Sequence, residues 1–191
     1  MKVALTGWNG FLATKLRART EIDWQESFEG SDALLLMGSP TFTHSELSIH
    51  DAQVVHQYVR ETIKIVDRYP NRIIFASSTG VDDIQLDHKG STAYNLGKLY
   101  IENYIVNNAD EYTILRIGTI YSNSQADVDA MKPDRVQPRL MLKDLAGIPF
   151  EDYYLNVDTF VDVTIDKLLN PANEIVEYPL DNLTLTRLML K

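Results

Sequence analysis

Cysteine is absent from the 191-residue sequence. Disulfides, thiol catalysis and cysteine-based zinc or iron–sulfur sites are therefore excluded. Positive charge is also scarce, because 18 Lys and Arg stand against 27 Asp and Glu and leave a net charge of −9 at pH 7. Nucleic-acid binding requires clustered basic residues, so we expect no nucleic-acid partner.

Long apolar runs and metal-binding patterns are missing as well. No apolar run approaches the length that spans a bilayer, and the first residues resemble a buried strand rather than a signal peptide. We therefore expect a cytoplasmic protein without membrane association. Metal ligation is not expected either, because the spacing of a metal site is not found among His44, His50, His56 and His88.

Apolar segments that predict strands alternate with segments of helical periodicity. The predicted strands cover 2–6, 33–38, 72–77, 112–117, 154–157 and 174–178, with a further short stretch around 21–23; the predicted helices cover 11–19, 51–69, 92–108, 138–146, 158–169 and 185–190. This alternation predicts an α/β fold, a Rossmann-like doubly wound parallel sheet with helices on both faces. The length fits a single domain over 1–191.

A glycine turn directly follows the first predicted strand. Gly7 permits a tight turn, Gly10 lets a diphosphate approach the backbone, and Ala13 lets the following helix pack closely on the strand. An anion there would meet free N–H groups at the start of that helix. An ordinary strand–helix turn also uses glycines, so the spacing alone is only moderately specific for a dinucleotide.

Two further groups of residues suit chemistry at the carboxyl ends of the predicted strands, where the glycine turn also lies. Tyr94 and Lys98 lie four residues apart on one helix face, and a nearby cation favours the ionised form of a phenol. The pair therefore suits proton transfer, although a solvated helix face produces the same spacing. Hydroxyls at Ser77, Ser78 and Thr79 end a predicted strand, where a parallel sheet meets its ligand, although such residues also begin ordinary turns.

The sequence resembles the extended short-chain dehydrogenases in the order of four features: the glycine turn, Ser78, the Tyr94–Lys98 pair and the segment 114–121. Among these enzymes it is most similar to the NAD-dependent epimerase/dehydratase family acting on nucleotide sugars. The resemblance extends to residue 125 and resumes at 155–162. It implies a dinucleotide-binding core over 1–121 and a reduced substrate-binding region over 122–191, interleaved with the final core elements.

The resemblance also implies roles for individual residues. Tyr94 would exchange a proton with the sugar, Lys98 would hold the nicotinamide ribose and lower the tyrosine pKa, and Ser78 would hydrogen-bond the reacting oxygen. NAD is the expected cofactor, with NADP left open. The other implied cofactor-binding residues are Gly7, Trp8, Asn9, Gly10, Phe11, Leu12, Asp23, Trp24, Met37, Gly38, Ser39, Ser77, Ile117 and Thr119. The implied substrate-binding residues are Thr41, Ser78, Thr79, Thr119, Arg135 and Arg139, with Lys132 and Lys143 as further cations that suit a solvated surface equally well.

The segment before residue 33 departs from the family. Its length leaves no room for the strand, helix and strand that the family has there, so one strand–helix unit is missing. Asp23 is then either the acidic residue that binds the adenosine ribose or a later strand-end Asp that contacts adenine, and its distance from Asp32 favours the second interpretation. The group that recognises the ribose 2′ position is left open, with Arg17 and Arg19 as candidates for a 2′-phosphate.

Three functions fit these features. The leading prediction is an NAD(P)-dependent epimerase or oxidoreductase acting on a sugar, with a nucleotide-linked sugar as the expected substrate. A keto-sugar reductase would use the same residues and consume reduced cofactor, and a non-catalytic dinucleotide-binding regulator would explain the shortened substrate region. Dehydration is not expected, because Thr79 and Gly80 replace the acidic pair of the family's dehydratases. The family's homodimer, formed through two central helices, would use Val55, Val59, Ile63, Leu99, Asn103 and Val106.

Overall fold

The computed structural model describes residues 1–38, 49–69, 71–81, 93–122, 124, 126–127 and 154–178. The strands are β1 (Lys2–Leu5), β2 (Asp23–Gln25), β3 (Ala33–Leu36), β4 (Arg72–Ser78), β5 (Glu111–Ile117), β6 (Thr119–Tyr121), β7 (Tyr154–Asn156) and β8 (Glu174–Tyr178). The helices are α1 (Phe11–Arg17), α2 (Ile49–Arg68), α3 (Ala93–Asn108) and α4 (Val157–Leu169). The predicted helices at 138–146 and 185–190 lie outside the described residues.

Six of these strands form one parallel sheet in the order β2-β1-β3-β4-β5-β8, while β6 and β7 pair in parallel apart from it. Parallel neighbours require a crossover connection, and the helices lie where such crossovers are needed. The predicted Rossmann-like α/β fold is confirmed. The missing strand–helix unit is confirmed too, because between α1 and β3, a fully described stretch, the chain forms only β2 and turns.

Alternating side chains of the central strands fill two hydrophobic layers. On one face, Leu5 and Leu35 pack in a cluster with Leu16 of α1 and Phe160 of α4. On the other face, strand residues pack with Val66 of α2 and with Ile101 and Ile105 of α3. All four residues of β3 are buried, as expected for an interior strand that is covered on both sides.

Helices α2 and α3 pack closely at a glycine. A Cβ atom on Gly97 would lie 2.7 Å from Cγ1 of Val55 and 3.2 Å from Cγ2 of Val59. Both valines were predicted as dimer contacts, but they pack here against α3 of their own chain. Helix α3 exposes Leu96, Tyr100 and Val106, of which Val106 was a predicted dimer contact.

Candidate functional site

The glycine turn is held against the end of β3 by close backbone packing. Gly7 has a φ of +70°, a conformation that favours glycine, and a Cβ atom on it would lie 3.0 Å from Cα of Gly38. The Thr6 hydroxyl accepts hydrogen bonds from the backbone N–H of Met37 at 2.8 Å and of Gly38 at 3.0 Å. The predicted cofactor-binding segments 7–12 and 37–38 are therefore brought together at the carboxyl end of the sheet.

The candidate hydroxyl of Ser78 lies at the same edge, because it ends β4 and pairs in register with Ile117 of β5. Its Oγ accepts a hydrogen bond from the backbone N–H of Gly80 at 3.1 Å. The turn that follows lies directly on α3, since a Cβ atom on Gly80 would be 2.6 Å from Nδ2 of Asn95. The Ser78 turn thus lies against the residue that follows Tyr94 in sequence.

Tyr94 and Lys98 come together near the start of α3, which begins at the carboxyl edge because the helix runs back along the sheet after β4. The Nζ atom of Lys98 is 5.6 Å from the centroid of the Tyr94 ring. Two more rings face the same ammonium group, that of Phe75 at 4.5 Å and that of Tyr58 at 5.5 Å. Lys98 is therefore surrounded by three aromatic rings.

The ammonium group of Lys98 is buried, with 1% of the residue exposed. Its Nζ donates a hydrogen bond of 2.6 Å to the backbone carbonyl of Ala76. Burial lowers the pKa of Lys98 to about 7, and the neighbouring charge of Glu102 opposes this fall. Burial also raises the pKa of Tyr58 above its ordinary value. The structure thus places the lysine in contact with β4, whereas the resemblance implies contact with the nicotinamide ribose.

Ser77, predicted to contact the cofactor, faces the interior instead. Its Oγ donates a hydrogen bond to the buried carboxylate of Glu102 on α3. The same carboxylate accepts hydrogen bonds from Arg116 of β5, whose other guanidinium nitrogen reaches Glu177 of β8 at 2.9 Å. The physical reason is strand alternation, since successive residues of a strand point to opposite faces and only Ser78 is left at the turn.

Asp23 and Trp24, also predicted to bind the cofactor, lie elsewhere. Asp23 opens β2 and pairs with Lys2, which places it at the end of the sheet opposite the glycine turn. The indole N–H of Trp24 donates to the backbone carbonyl of Arg19, and its ring packs on the core. Both interpretations of Asp23 are therefore corrected, because each requires an acidic residue at the carboxyl end of a strand and Asp23 begins β2.

The two arginines considered for a 2′-phosphate differ in their surroundings. Arg19 forms ion pairs with Glu21 and Asp162 and so is already neutralised. The guanidinium of Arg17 lies over the ring of Trp8 in the glycine turn, 4.4 Å from its centroid. Of these two arginines, Arg17 is the one that lies beside the glycine turn.

Some predicted residues belong to parts of the chain that the structure does not describe. Ser39 and Thr41 lie outside the described residues, as do all four predicted substrate cations, Lys132, Arg135, Arg139 and Lys143. Thr119 is described in its backbone only, at the start of β6. Among the residues that are described, no group of three acidic or histidine side chains suits a metal ion, and no helix is long and apolar enough to cross a membrane.

Three polar residues at this edge were not predicted. Thr6 joins the glycine turn to β3, Asn95 lies under the Ser78 turn, and Glu102 receives Ser77. The sequence does contain a hint that Glu102 acts with Lys98, because the two residues lie four apart on the predicted helix. In a sequence, however, a Lys and a Glu four residues apart on a helix predict an exposed ion pair.

The fold and the placement of these residues define a class. The chain has the Rossmann-type fold of the short-chain dehydrogenases and NAD-dependent epimerases, with a glycine turn, a strand-end serine and a Tyr–Lys helix turn at one edge. The predicted resemblance is thus confirmed at the level of the fold. No protein-family model and no curated protein matches the sequence.

Particular solved structures show the likeness. A UDP-glucuronic acid 4-epimerase from Bacillus cereus, solved with NAD and a fluorinated UDP-sugar, has a TM-score of 0.63 and 14% identity over 93% of this chain and 77% of its own. A nucleoside-diphosphate sugar epimerase from Corynebacterium glutamicum has a TM-score of 0.60 and 14% identity over 100% of this chain and 49% of its own. A short-chain dehydrogenase/reductase from Veillonella parvula, solved with NADP, has a TM-score of 0.53 and 14% identity over 94% of this chain and 95% of its own.

Proposed function

We propose that this protein is an NAD(P)-dependent epimerase or oxidoreductase that acts on a sugar, with a nucleotide-linked sugar as the expected substrate. The observation that carries the proposal is the meeting of three features at one sheet edge. The glycine turn contacts Gly38, the Ser78 turn lies on Asn95, and the neighbouring Tyr94 stands beside Lys98. Ligands of open α/β sheets bind at this edge.

The glycine turn fits a dinucleotide. A Cβ atom on Gly7 or Gly10 would lie 3.0 to 3.1 Å from neighbouring backbone, and Asn9 and Gly10 are exposed. Backbone N–H groups can therefore approach a diphosphate without intervening side chains. The Veillonella parvula structure, which aligns with this chain over nearly its whole length, was solved with NADP, so a core without a large substrate domain is compatible with such a ligand.

The chain's own residues would bind the substrate and manage the proton. The cofactor, once bound, supplies the hydride acceptor and donor. Tyr94 would take a proton from the sugar hydroxyl at its phenolic oxygen and return it, and Lys98 would favour the phenolate. Ser78 would hydrogen-bond the reacting sugar oxygen. Residues 122–191 would supply the substrate contacts, with Arg135 and Arg139 binding a substrate diphosphate.

Fluorescence and turnover together test the proposal. Trp8 follows Gly7 in the turn, so titration with NAD and with NADP should quench the tryptophan emission, and the lower dissociation constant identifies the preferred cofactor. Wild-type protein should then convert UDP-glucuronic acid or UDP-N-acetylglucosamine. Tyr94→Phe should lower turnover at least about 100-fold while cofactor affinity stays within about twofold.

The matched control is Tyr100→Phe, which removes the same atom from an exposed tyrosine of the same helix. It should leave turnover unchanged. Substantial activity in Tyr94→Phe would refute the catalytic assignment. Net formation of reduced or oxidised cofactor would identify a keto-sugar reductase or dehydrogenase, whereas an epimerase recycles its nicotinamide.

One observation favours a second function, a non-catalytic dinucleotide-binding regulator. The Nζ of Lys98 is bonded to the backbone carbonyl of Ala76 and enclosed by rings. Cofactor binding without turnover of any nucleotide sugar would support this alternative.

We also propose a homodimer, as the resemblance implies, formed through the two central helices α2 and α3; of the predicted contacts, Asn103 and Val106 are exposed on α3. Light scattering of the purified protein measures its mass and tests this assembly.

A further inference from the structure

Glu102 is a buried carboxylate that the proposed reaction does not use. Only 2% of the residue is exposed. Its Oε1 accepts a hydrogen bond from Ser77 Oγ. A terminal nitrogen of Arg116 donates to Oε2 at 2.8 Å, and Nε of Arg116 donates to both carboxylate oxygens at 3.2 Å. Burying a carboxylate costs several kcal/mol unless it is paired. The pairing with Arg116 and Ser77 meets this requirement.

Helix α3 is joined to β4 at two consecutive strand residues. Lys98 donates to the backbone carbonyl of Ala76, and one helix turn further Glu102 accepts from Ser77. Residues four apart share a helix face, so any rotation or sliding of α3 on β4 would break both contacts together. Tyr94 lies one turn before Lys98, and Ser78 follows Ser77. The two contacts therefore set where Tyr94 stands relative to Ser78.

The charged and titratable groups around Lys98 come from three elements. Glu102 and Tyr94 lie on its own helix, Tyr58 faces it from α2, and Arg116 of β5 stands behind Glu102. The strand beneath contributes the uncharged ring of Phe75. Burial favours the neutral amine, and the negative charge of Glu102 favours the ammonium form. Glu102 thus opposes the effect of burial on Lys98.

We propose that Glu102 is a positioning residue for the Tyr94–Lys98 pair. It fixes the helix turn on the end of β4 through Ser77, and its charge favours the protonated form of Lys98. Its effect on turnover rests on the proposed function. Its effect on Lys98 does not, because the ionisation of Lys98 can be read without cofactor or substrate.

The test compares Glu102→Gln with Glu177→Gln. Both changes replace a carboxylate with an amide of the same shape, and both remove one anionic partner of Arg116. Only the first removes the charge beside Lys98. Side-chain NMR of lysine-labelled protein, with the Lys98 signal assigned from its loss in Lys98→Met, gives the pKa in each variant. We expect a fall of about one pH unit in Glu102→Gln and no measurable change in Glu177→Gln.

Each outcome separates positioning from simple stabilisation. Equal losses of thermal stability in both variants, with the Lys98 titration unchanged in both, would overturn the proposal. If Glu102→Gln does not fold, Glu102→Asp moves the charge away by one methylene and should lower the Lys98 pKa by a smaller amount; an unchanged pKa there contradicts the proposal. Failure of wild-type protein to bind NAD or NADP would sink the proposed function alone.

Discussion

Replacing Lys98 with methionine measures the effect of burying its ammonium group. The pKa of Lys98 falls from 10.5 to about 7 on folding. Between these values the unfolded chain holds a proton that the folded chain lacks, so the free energy of unfolding rises with pH. The rise is at most about 1.4 kcal/mol per pH unit, and below pH 7 both states are protonated and the slope vanishes. From pH 6 to pH 9 this group therefore adds about 2.5 kcal/mol of stability.

Methionine is long and flexible enough to fill the same space without a charge. We therefore expect the stability of Lys98→Met relative to wild type to be about 2.5 kcal/mol lower at pH 9 than at pH 6. Urea unfolding followed by tryptophan fluorescence at pH 6, 7, 8 and 9 gives this difference, in which the other titrating groups cancel. A stability difference that does not change with pH would show that the ammonium is not desolvated in the folded protein.

Two glycines give further predictions. Gly80→Ala places a methyl group 2.6 Å from the side chain of Asn95 and should lower the free energy of unfolding by about 1–3 kcal/mol. Adding Asn95→Ala should relieve this loss, and strictly additive losses would contradict the contact. Gly97→Ala places a methyl group 2.7 Å from Val55 and should lower the free energy of unfolding in urea by about 1–3 kcal/mol. Leu96→Ala, at an exposed position of the same helix, should change it by less than about 0.5 kcal/mol, and equal effects of the two variants would refute the close helix contact.

Much of the fold was predictable because its signals are local. The run at 33–36 is apolar on both faces, which indicates an interior parallel strand, and β3 is buried throughout. The helical periodicity of α2 is equally plain over its 20 residues. Strand β2 was expected two residues too early. Three residues carry almost no periodicity, and the position of β2 is decided by its pairing with β1, which a sequence does not display.

The candidate site was predictable only in part. Ser78, Tyr94 and Lys98 were proposed as site residues from their order along the chain, and the structure brings their segments to one edge. The Glu102 contacts were not found, because they require Ser77, Arg116 and Glu177 to stand side by side on three strands. That register is set by non-local pairing, and a polar residue looks the same in a sequence whether it is buried or exposed.

The missing strand–helix unit has a consequence for how the molecule meets others of its kind. Without it β2 is an outer strand of the described sheet, with one side of its backbone left for pairing. Exposed outer strands invite association between molecules, and proteins resist it with short strands and charged residues. β2 has three residues, begins with exposed Asp23 and is followed by exposed Glu26. The shortness and the negative charge of β2 thus protect this edge of the sheet against strand pairing with another copy of the protein.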